Sequence, residues 1–262
     1  MKLPRRELLE GSRRREELEP LVAAAERALR TWEPVWTPFL DAALREEAVE
    51  RLSGLSELAV AEEGGHAGAE RRRLLLQPAE AAREPAEVPT GLTGLEIAGN
   101  FLFDPAAAAE FRQALLVAGA EPGEVGDLWL RGDRGAQGIV TAPLAARLAD
   151  RRGRVRTVAV EFAARPVEEL QLPVARIPRP LVTVEASLRL DAVASAGFGL
   201  SRNRMAEMIR RGAVRIDWQP VTSPSRELAA GERVQLEGRG ELAIETIERT
   251  RRDRFRIRME RR

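Results

Sequence analysis

The sequence has no cysteine, one histidine and one lysine, and each shortage excludes a class of chemistry. A chain without cysteine forms neither a disulfide nor a thiolate metal site. The single His66 excludes a site built from several histidines or from a Cys–His couple. Lys2 is the only lysine, so arginine supplies 41 of the 42 basic residues. Arginine offers a flat, forked set of donors that suits phosphate groups and stacking.

Long apolar runs are missing as well. No stretch approaches the length that spans a membrane. The opening MKLPRRELLEGSRRREELEP lacks the apolar core of a signal peptide and holds too many acids for a transit peptide. We therefore expect a cytoplasmic protein without membrane insertion.

Charge is unevenly distributed along the 262 residues, a length that suits two or three small domains. The whole chain carries a net charge of only +1, which predicts no partner. Residues 183–262, however, contain 17 arginines and 12 acidic residues, a local charge of +5 that leaves −4 for the remainder. A localised basic excess is typical of proteins that bind a polyanion.

The periodicity predicts an α+β protein of three small domains. Residues 1–92 predict a mainly helical α/β domain, with one helix in ELEPLVAAAERALRTW, a second from Asp41 to Leu52, and a strand in RRLLLQ. Residues 166–180 hold four prolines and predict an extended connector. Residues 181–262 form the basic C-terminal domain.

The middle domain, residues 93–165, predicts the order strand–helix–strand–strand–helix–strand of a ferredoxin-like fold. We expect Asp104 to be the N-cap of its first helix and RVRTVAVEF to be a single strand. The same skeleton occurs in many RNA-recognition modules. Trp129 is one candidate for base stacking, although a lone Trp on a strand is more often core.

The segment LSRNRMAEMIRRGAVRI predicts a capped basic helix followed directly by a strand. Ser201 is the expected N-cap, Met205, Met208 and Ile209 form the apolar stripe, and Gly212 ends the helix. The arginines must then lie on other faces, where the helix N-terminus also attracts phosphate. A solvated helix face explains the same charges, and composition alone does not decide between the two.

The stretch RLDAVASAGFGLSRNRMAEMIRRGAVRIDWQPVTSPSRELAAGERVQL resembles the RNA-binding domain of the ribosomal protein S4 type. Two positions depart from the family pattern: Glu232 replaces an Asp, and Asp217-Trp218 replaces an Asn-Gly turn. The resemblance implies binding to structured RNA through the arginine-rich helical face. The implied RNA-binding residues are Arg189, Ser201, Arg202, Asn203, Arg204, Arg210, Arg211 and Arg215.

Three further segments, GGHAGAERRRLLLQP, GLEIAGN and EVGDLWLRGDRGAQGIV, are similar to the YlmH family, in which two N-terminal domains precede an S4-type domain. The segments LPRRELL and ALRTWEPVWTPFL are similar to segments of its cyanobacterial branch, the photosystem II S4 domain proteins. The family implies binding of rRNA or tRNA on the large ribosomal subunit, at stalled complexes. Where the family has a His-Arg-Asp-like stretch, this chain has Phe103, Asp104 and Pro105. We interpret His66 as structural.

No constellation of residues predicts catalysis, and we expect a non-enzymatic, monomeric protein without metal, cofactor or DNA. A tyrosyl-tRNA synthetase needs more histidine and lysine, and a pseudouridine synthase places its catalytic domain after the RNA-binding one. The glycine-rich RGDRGAQG joins two strands and is best explained as a hairpin turn, not a cofactor loop. The alternative hypothesis is a protein–protein adaptor linked to photosystem II, with WEPVWTPFL and the acidic N-terminal helices as its exposed surfaces.

Overall fold

The computed structural model describes residues 3–12, 14–174, 177–236 and 239–262. The chain divides into two compact units, unit 1 (Met1–Val174) and unit 2 (Ala175–Arg262). Each unit combines helices with antiparallel sheet, so the predicted α+β class is confirmed. Over the described ranges, every helix is too short or too polar to cross a bilayer.

Unit 1 begins with a helical layer on a small sheet. The two predicted helices and the RRLLLQ strand are present, whereas the strand LAVAEE was not predicted because its half-buried residues show no alternation. The sheet is antiparallel in the order β1-β3-β2. The elements are α1 (Arg5–Leu9), α2 (Arg15–Thr31), β1 (Val35–Trp36), α3 (Ala42–Leu52), β2 (Leu58–Glu63) and β3 (Arg73–Pro78).

Asp41 caps α3, because its carboxylate accepts the N–H of Leu44 at 2.9 Å. The same carboxylate receives Arg14, which precedes α2, at 2.6 Å. A carboxylate at a helix N-terminus satisfies a free N–H group and complements the helix dipole. The cap thus also joins α2 to α3.

The second part of unit 1 is the predicted ferredoxin-like sheet, extended by one strand. Its antiparallel order is β5-β6-β4-β8-β7, with both helices covering a core of leucine, isoleucine, valine and phenylalanine. The elements are β4 (Leu92–Ala98), α4 (Ala108–Val117), β5 (Val125–Leu130), β6 (Gly135–Thr141), α5 (Ala142–Leu148), β7 (Arg152–Val155) and β8 (Val158–Arg165).

Two local predictions in this sheet are wrong, and one contact explains both. RVRTVAVEF is a hairpin and not one strand, since the chain turns at Arg156, where φ is +53°. Asp104 does not cap α4, whose N-cap is Ala107. Instead, Asp104 pairs with Arg156 at 2.7 Å and accepts the hydroxyl of Thr157 at 2.5 Å. A residue distant in sequence therefore holds the turn.

Phe39 joins the two parts of unit 1. Its side chain is 3% exposed and packs with Ile139 and Leu170, while its N–H donates to the carbonyl of Gly123 at 2.8 Å. The prediction of WEPVWTPFL as an exposed surface is therefore wrong for Phe39, and also for Val35, Thr37 and Leu40, which are buried, although Trp32 remains 59% exposed. Leu170 belongs to the predicted connector, so part of that connector packs on unit 1.

Asp127 makes a second joint between these parts. Its carboxylate accepts the backbone N–H groups of Glu70 at 2.7 Å and Arg71 at 3.0 Å. Burial opposes ionisation, but His66 at 3.4 Å and the two N–H donors lower the pKa of Asp127 below its ordinary value. His66 is buried against the edge of Trp129, with ring centroids 5.7 Å apart. These contacts support a structural role for both rings.

Unit 2 is a six-stranded antiparallel sheet with two helices on one face, in the order β11-β10-β12-β13-β14-β9. The edge strand β9 was not predicted, because Pro180 placed it in the connector; edge strands tolerate proline. The elements are β9 (Arg179–Glu185), α6 (Leu190–Phe198), α7 (Arg202–Arg210), β10 (Val214–Ile216), β11 (Gln219–Pro220), β12 (Arg233–Leu236), β13 (Gly240–Arg249) and β14 (Phe255–Arg261).

Gly135, at the start of β6, provides a test of the fold. Its φ is +116°, and a Cβ there would lie 2.0 Å from the carbonyl oxygen of Ile97. We expect Gly135→Ala to lower the free energy of unfolding by about 3 kcal/mol or more, measured by urea denaturation. The control Gly132→Ala, at φ +68° in open space, should cost only about 1 kcal/mol. Equal losses in the two variants would contradict this account.

Candidate nucleic-acid interface

The α6–α7 pair presents the predicted basic helix. Gly199 ends α6 with φ +66°, and the hydroxyl of Ser201 accepts the N–H of Arg204 at 3.3 Å, so the predicted cap is confirmed. Met205 and Ile209 are fully buried on the inner side of α7. Gly212 follows the helix with φ +76°. The buried stripe leaves every arginine of α7 on the remaining, exposed sides.

A buried carboxylate organises the start of both helices. Asp191 is 5% exposed, and its oxygens accept Arg189 at 3.0 and 3.1 Å and Arg202 at 3.1 Å. Burial alone raises the pKa of Asp191, but the hydrogen bonds from Arg189 and then Arg202 outweigh it, so the pKa lies below its usual value. One negative charge orders two positive ones, and the cluster stays cationic.

The segment after the hairpin of β10 and β11 is hydrogen-bonded to the backbone of this cluster. The N–H of Asp191 donates to the carbonyl of Pro224 at 3.1 Å. Arg226 pairs with Glu232, whose carboxylate also accepts the N–H of Ala229 at 2.8 Å. Glu232 departs from the Asp of the S4-type pattern, and these contacts show that the longer side chain still closes the turn.

Asp217 and Trp218 form the two-residue turn between β10 and β11. Their φ values are +46° and +66°, as a type I′ hairpin turn requires. Trp218 therefore occupies a backbone position that favours glycine. The guanidinium of Arg233 lies 5.9 Å from the centre of the Trp218 ring, and the N–H of Arg233 donates to Asp217 at 3.1 Å. These contacts stabilise the turn, in which Asp217-Trp218 replaces the Asn-Gly pair of the S4-type pattern.

The structure places the other predicted site residues on two different sides of unit 2. Arg204, Arg210 and Asn203 are exposed on α7, and Arg211, 75% exposed, pairs with Glu207 at 2.5 Å. Among the described residues, no carboxylate pairs with Arg204 or Arg210.

Arg215 does not join the α7 set. It lies on β10 between Val214 and Ile216, both of which are buried against the helices. Alternation along the strand directs Arg215 to the opposite face of the sheet. The predicted single surface therefore divides into an α6–α7 set and one residue behind it.

Asp191 is the residue whose importance the sequence did not reveal. The Arg-Leu-Asp motif contained it, but an isolated acid carries no signal of burial. Its only pointer was its place in that motif, 11 residues before the start of the basic helix. Over the described parts of the chain, no three His, Asp or Glu side chains come together in a way that holds a metal ion.

Comparisons with known proteins agree with both resemblances. Residues 13–81 match the family described as YlmH, N-terminal, and residues 188–234 match the S4 domain. The ribosome-associated protein quality control protein P2 of Bacillus subtilis (strain 168) is 27% identical over 230 residues, which is 86% of each chain. The solved structure of the cell division protein ylmH from Streptococcus pneumoniae is 19% identical, with a TM-score of 0.45, covering 58% of this chain and 93% of that one.

Replacing Asp191 tests the organising role of its carboxylate. Because its pKa is lowered on folding, its stabilisation is present above pH 4 or so and disappears as the pH falls through the native pKa. We expect Asp191→Asn to lower the free energy of unfolding by about 1–3 kcal/mol at pH 7. The difference from the parent protein should shrink at acidic pH. A difference independent of pH would show that the charge of Asp191 is not what stabilises the cluster.

Proposed function

We propose that this chain, a YlmH-like protein with a C-terminal S4 domain, is a non-enzymatic factor that binds structured RNA on the large ribosomal subunit. The observation that carries the proposal is the set of exposed arginines around the outer half of α7. Arg204 and Arg210 are open there, and Arg202 is ordered by Asp191 beside the helix N-terminus. Guanidinium groups and free N–H groups at a helix start both favour phosphate.

The kind of RNA follows from how the charges are arranged. Arg204 lies in the first turn of α7 and Arg210 at its end, about 9 Å apart along the axis and about 120° apart around it, so the two flank the exposed half of the helix. Charges spread along a helix suit a continuous phosphate backbone better than a single bound anion. Folded rRNA or tRNA supplies such a backbone, and the backbone contacts position the protein without reading sequence.

The B. subtilis relative supports the ribosome as the site of action, since its name describes a ribosome-associated quality control protein and the match runs over most of both chains. We extend that role to this chain, at stalled large subunits. The buried acids support a non-enzymatic role. Asp127 and Asp191 each accept several hydrogen bonds within the fold. Both carboxylates therefore serve structure.

Sedimentation of cell extract through a sucrose gradient tests the cellular target. We expect the protein to migrate with large subunits at low salt and to leave them as the salt concentration rises, since phosphate contacts are screened. Protein that remains at the top of the gradient under every condition would contradict the proposal. Co-migration with small subunits alone would refute the choice of subunit.

Neutralising the open arginines tests the surface itself. We expect Arg204→Gln with Arg210→Gln to weaken binding to a fluorescent tRNA about tenfold at 0.1 M salt and to flatten the dependence on salt concentration. The matched control is Arg15→Gln with Arg27→Gln, which removes equal charge from exposed positions of α2. Thermal unfolding should change little in either variant. Equal affinities for the two double variants would remove the basis for placing the site on α7.

A protein-binding role has one favourable observation, the exposed side chains of Trp32 at 59% and Phe103 at 91% in unit 1. Exposed apolar groups occur at interaction sites. A pull-down treated with ribonuclease separates the two functions. Under the RNA-binding proposal, ribosomal proteins are lost when the RNA is degraded. A partner that persists and depends on Trp32 would instead favour the adaptor.

A further inference from the structure

A second arginine-rich surface lies beyond the residues that match the S4 domain. Residues 249–262, RTRRDRFRIRMERR, hold eight arginines and two acids, a local charge of +6. They form the end of β13, a turn and β14. Within the described ranges, five of these side chains are exposed and have no ion pair: Arg251, Arg252, Arg254, Arg256 and Arg258.

Strand geometry aligns three of these arginines. Ile257 and Met259 are buried in the core beneath α6 and α7. Because side chains alternate along a strand, Arg256 and Arg258 face away from the helices. Arg254, directly before β14, continues the same period, since its carbonyl accepts the N–H of Thr250 across the hairpin. Neighbours in this row are separated by about 7 Å, so the row extends about 14 Å. This basic row lies on the sheet face opposite α7.

The sheet next to the basic row is apolar on one side. On the edge strand β9, Val182 is paired with Arg258 and Val184 with Arg256. These valines are 64% and 44% exposed. On the other side, Glu248 lies across from Arg256, although no ion pair joins them in the described part of unit 2, and Thr246 lies across from Arg258. The guanidinium groups of such arginines can donate to phosphate, while the neighbouring valines and the aliphatic parts of the arginine side chains can contact ribose.

The turn before the basic row is held by its own contacts. Asp253 pairs with Arg249 at 2.5 Å and donates its N–H to the carbonyl of Thr250 at 3.1 Å. The N–H of Thr250 in turn donates to the carbonyl of Arg254 at 2.7 Å. The one acid of the turn is therefore occupied, and its charge does not neutralise Arg251 or Arg252.

We propose that the basic row of Arg254, Arg256 and Arg258 binds the phosphate backbone of a second RNA segment, separate from the one on α7. The inference rests on the proposed function and extends it, because unit 2 would then bridge two segments of a folded RNA. A row of forked donors at a regular spacing, on an open sheet face, matches a repeating polyanion. Protein partners of the same surface are an outcome of the test below.

Binding stoichiometry tests the proposal, with a short RNA duplex of about one helical turn as the probe, in about 50 mM salt. The full-length protein should bind two duplexes, measured by analytical ultracentrifugation. Arg254→Gln with Arg256→Gln and Arg258→Gln should reduce this number to one. The α7 variant, Arg204→Gln with Arg210→Gln, should also bind one. The matched control, Arg15→Gln with Arg27→Gln and Arg30→Gln, should still bind two.

The outcomes separate this inference from the proposed function. If the triple variant of the basic row still binds two duplexes, or the parent protein binds a single duplex that only the α7 variant loses, the second site is refuted and the first stands. If the parent protein binds no duplex and does not migrate with ribosomes, the proposed function fails. Loss of a ribonuclease-resistant protein partner in the triple variant, with RNA binding unchanged, would overturn the inference in favour of a protein ligand.

Discussion

The ion pairs around Asp191 are the contact on which the basic surface of unit 2 depends. This carboxylate is buried at the start of α6, where it receives Arg189 from the residue before that helix and Arg202 from the start of α7. The cost of burying an acid is offset by two guanidinium partners. The arrangement fixes both partners beside the N-terminus of α7 without cancelling their charge. The exposed Arg204 and Arg210 then extend the positive surface along the helix.

Arginine has a different structural role in each of the two units. In unit 1 many arginines are bound internally: Arg147 pairs with Glu124, and Arg73 and Arg112 donate to backbone carbonyls. In unit 2 the arginines of α7 and of the β13–β14 hairpin include several without any described partner. The local charges differ in the same direction, with −4 over residues 1–182 and +5 over residues 183–262. A chain with almost no lysine thus uses one side chain both to join elements and to face solvent.

The sequence predicted those features that have local causes. The α7 helix is one, because a serine cap, a stripe at helical spacing and a terminal glycine all lie within twelve residues. The hairpin at Arg156 was missed because its positive φ is stabilised by Asp104, about fifty residues earlier, and no glycine or asparagine marks the turn. The place of Arg215 depends on which face of β10 meets the helices, and the burial of Asp191 depends on partners from three segments. Such features depend on tertiary packing, so the local sequence pattern does not predict them.

Ultraviolet crosslinking in living cells, with mass-spectrometric identification of the RNA-linked peptides, tests the central claim most directly. The account predicts nucleotides from the large-subunit rRNA or tRNA attached to peptides of residues 202–211. It also predicts that these adducts become rarer when the charges of Arg204 and Arg210 are removed. Adducts confined to unit 1, or a protein recovered free of RNA from cells in which ribosomal proteins crosslink efficiently, would contradict it.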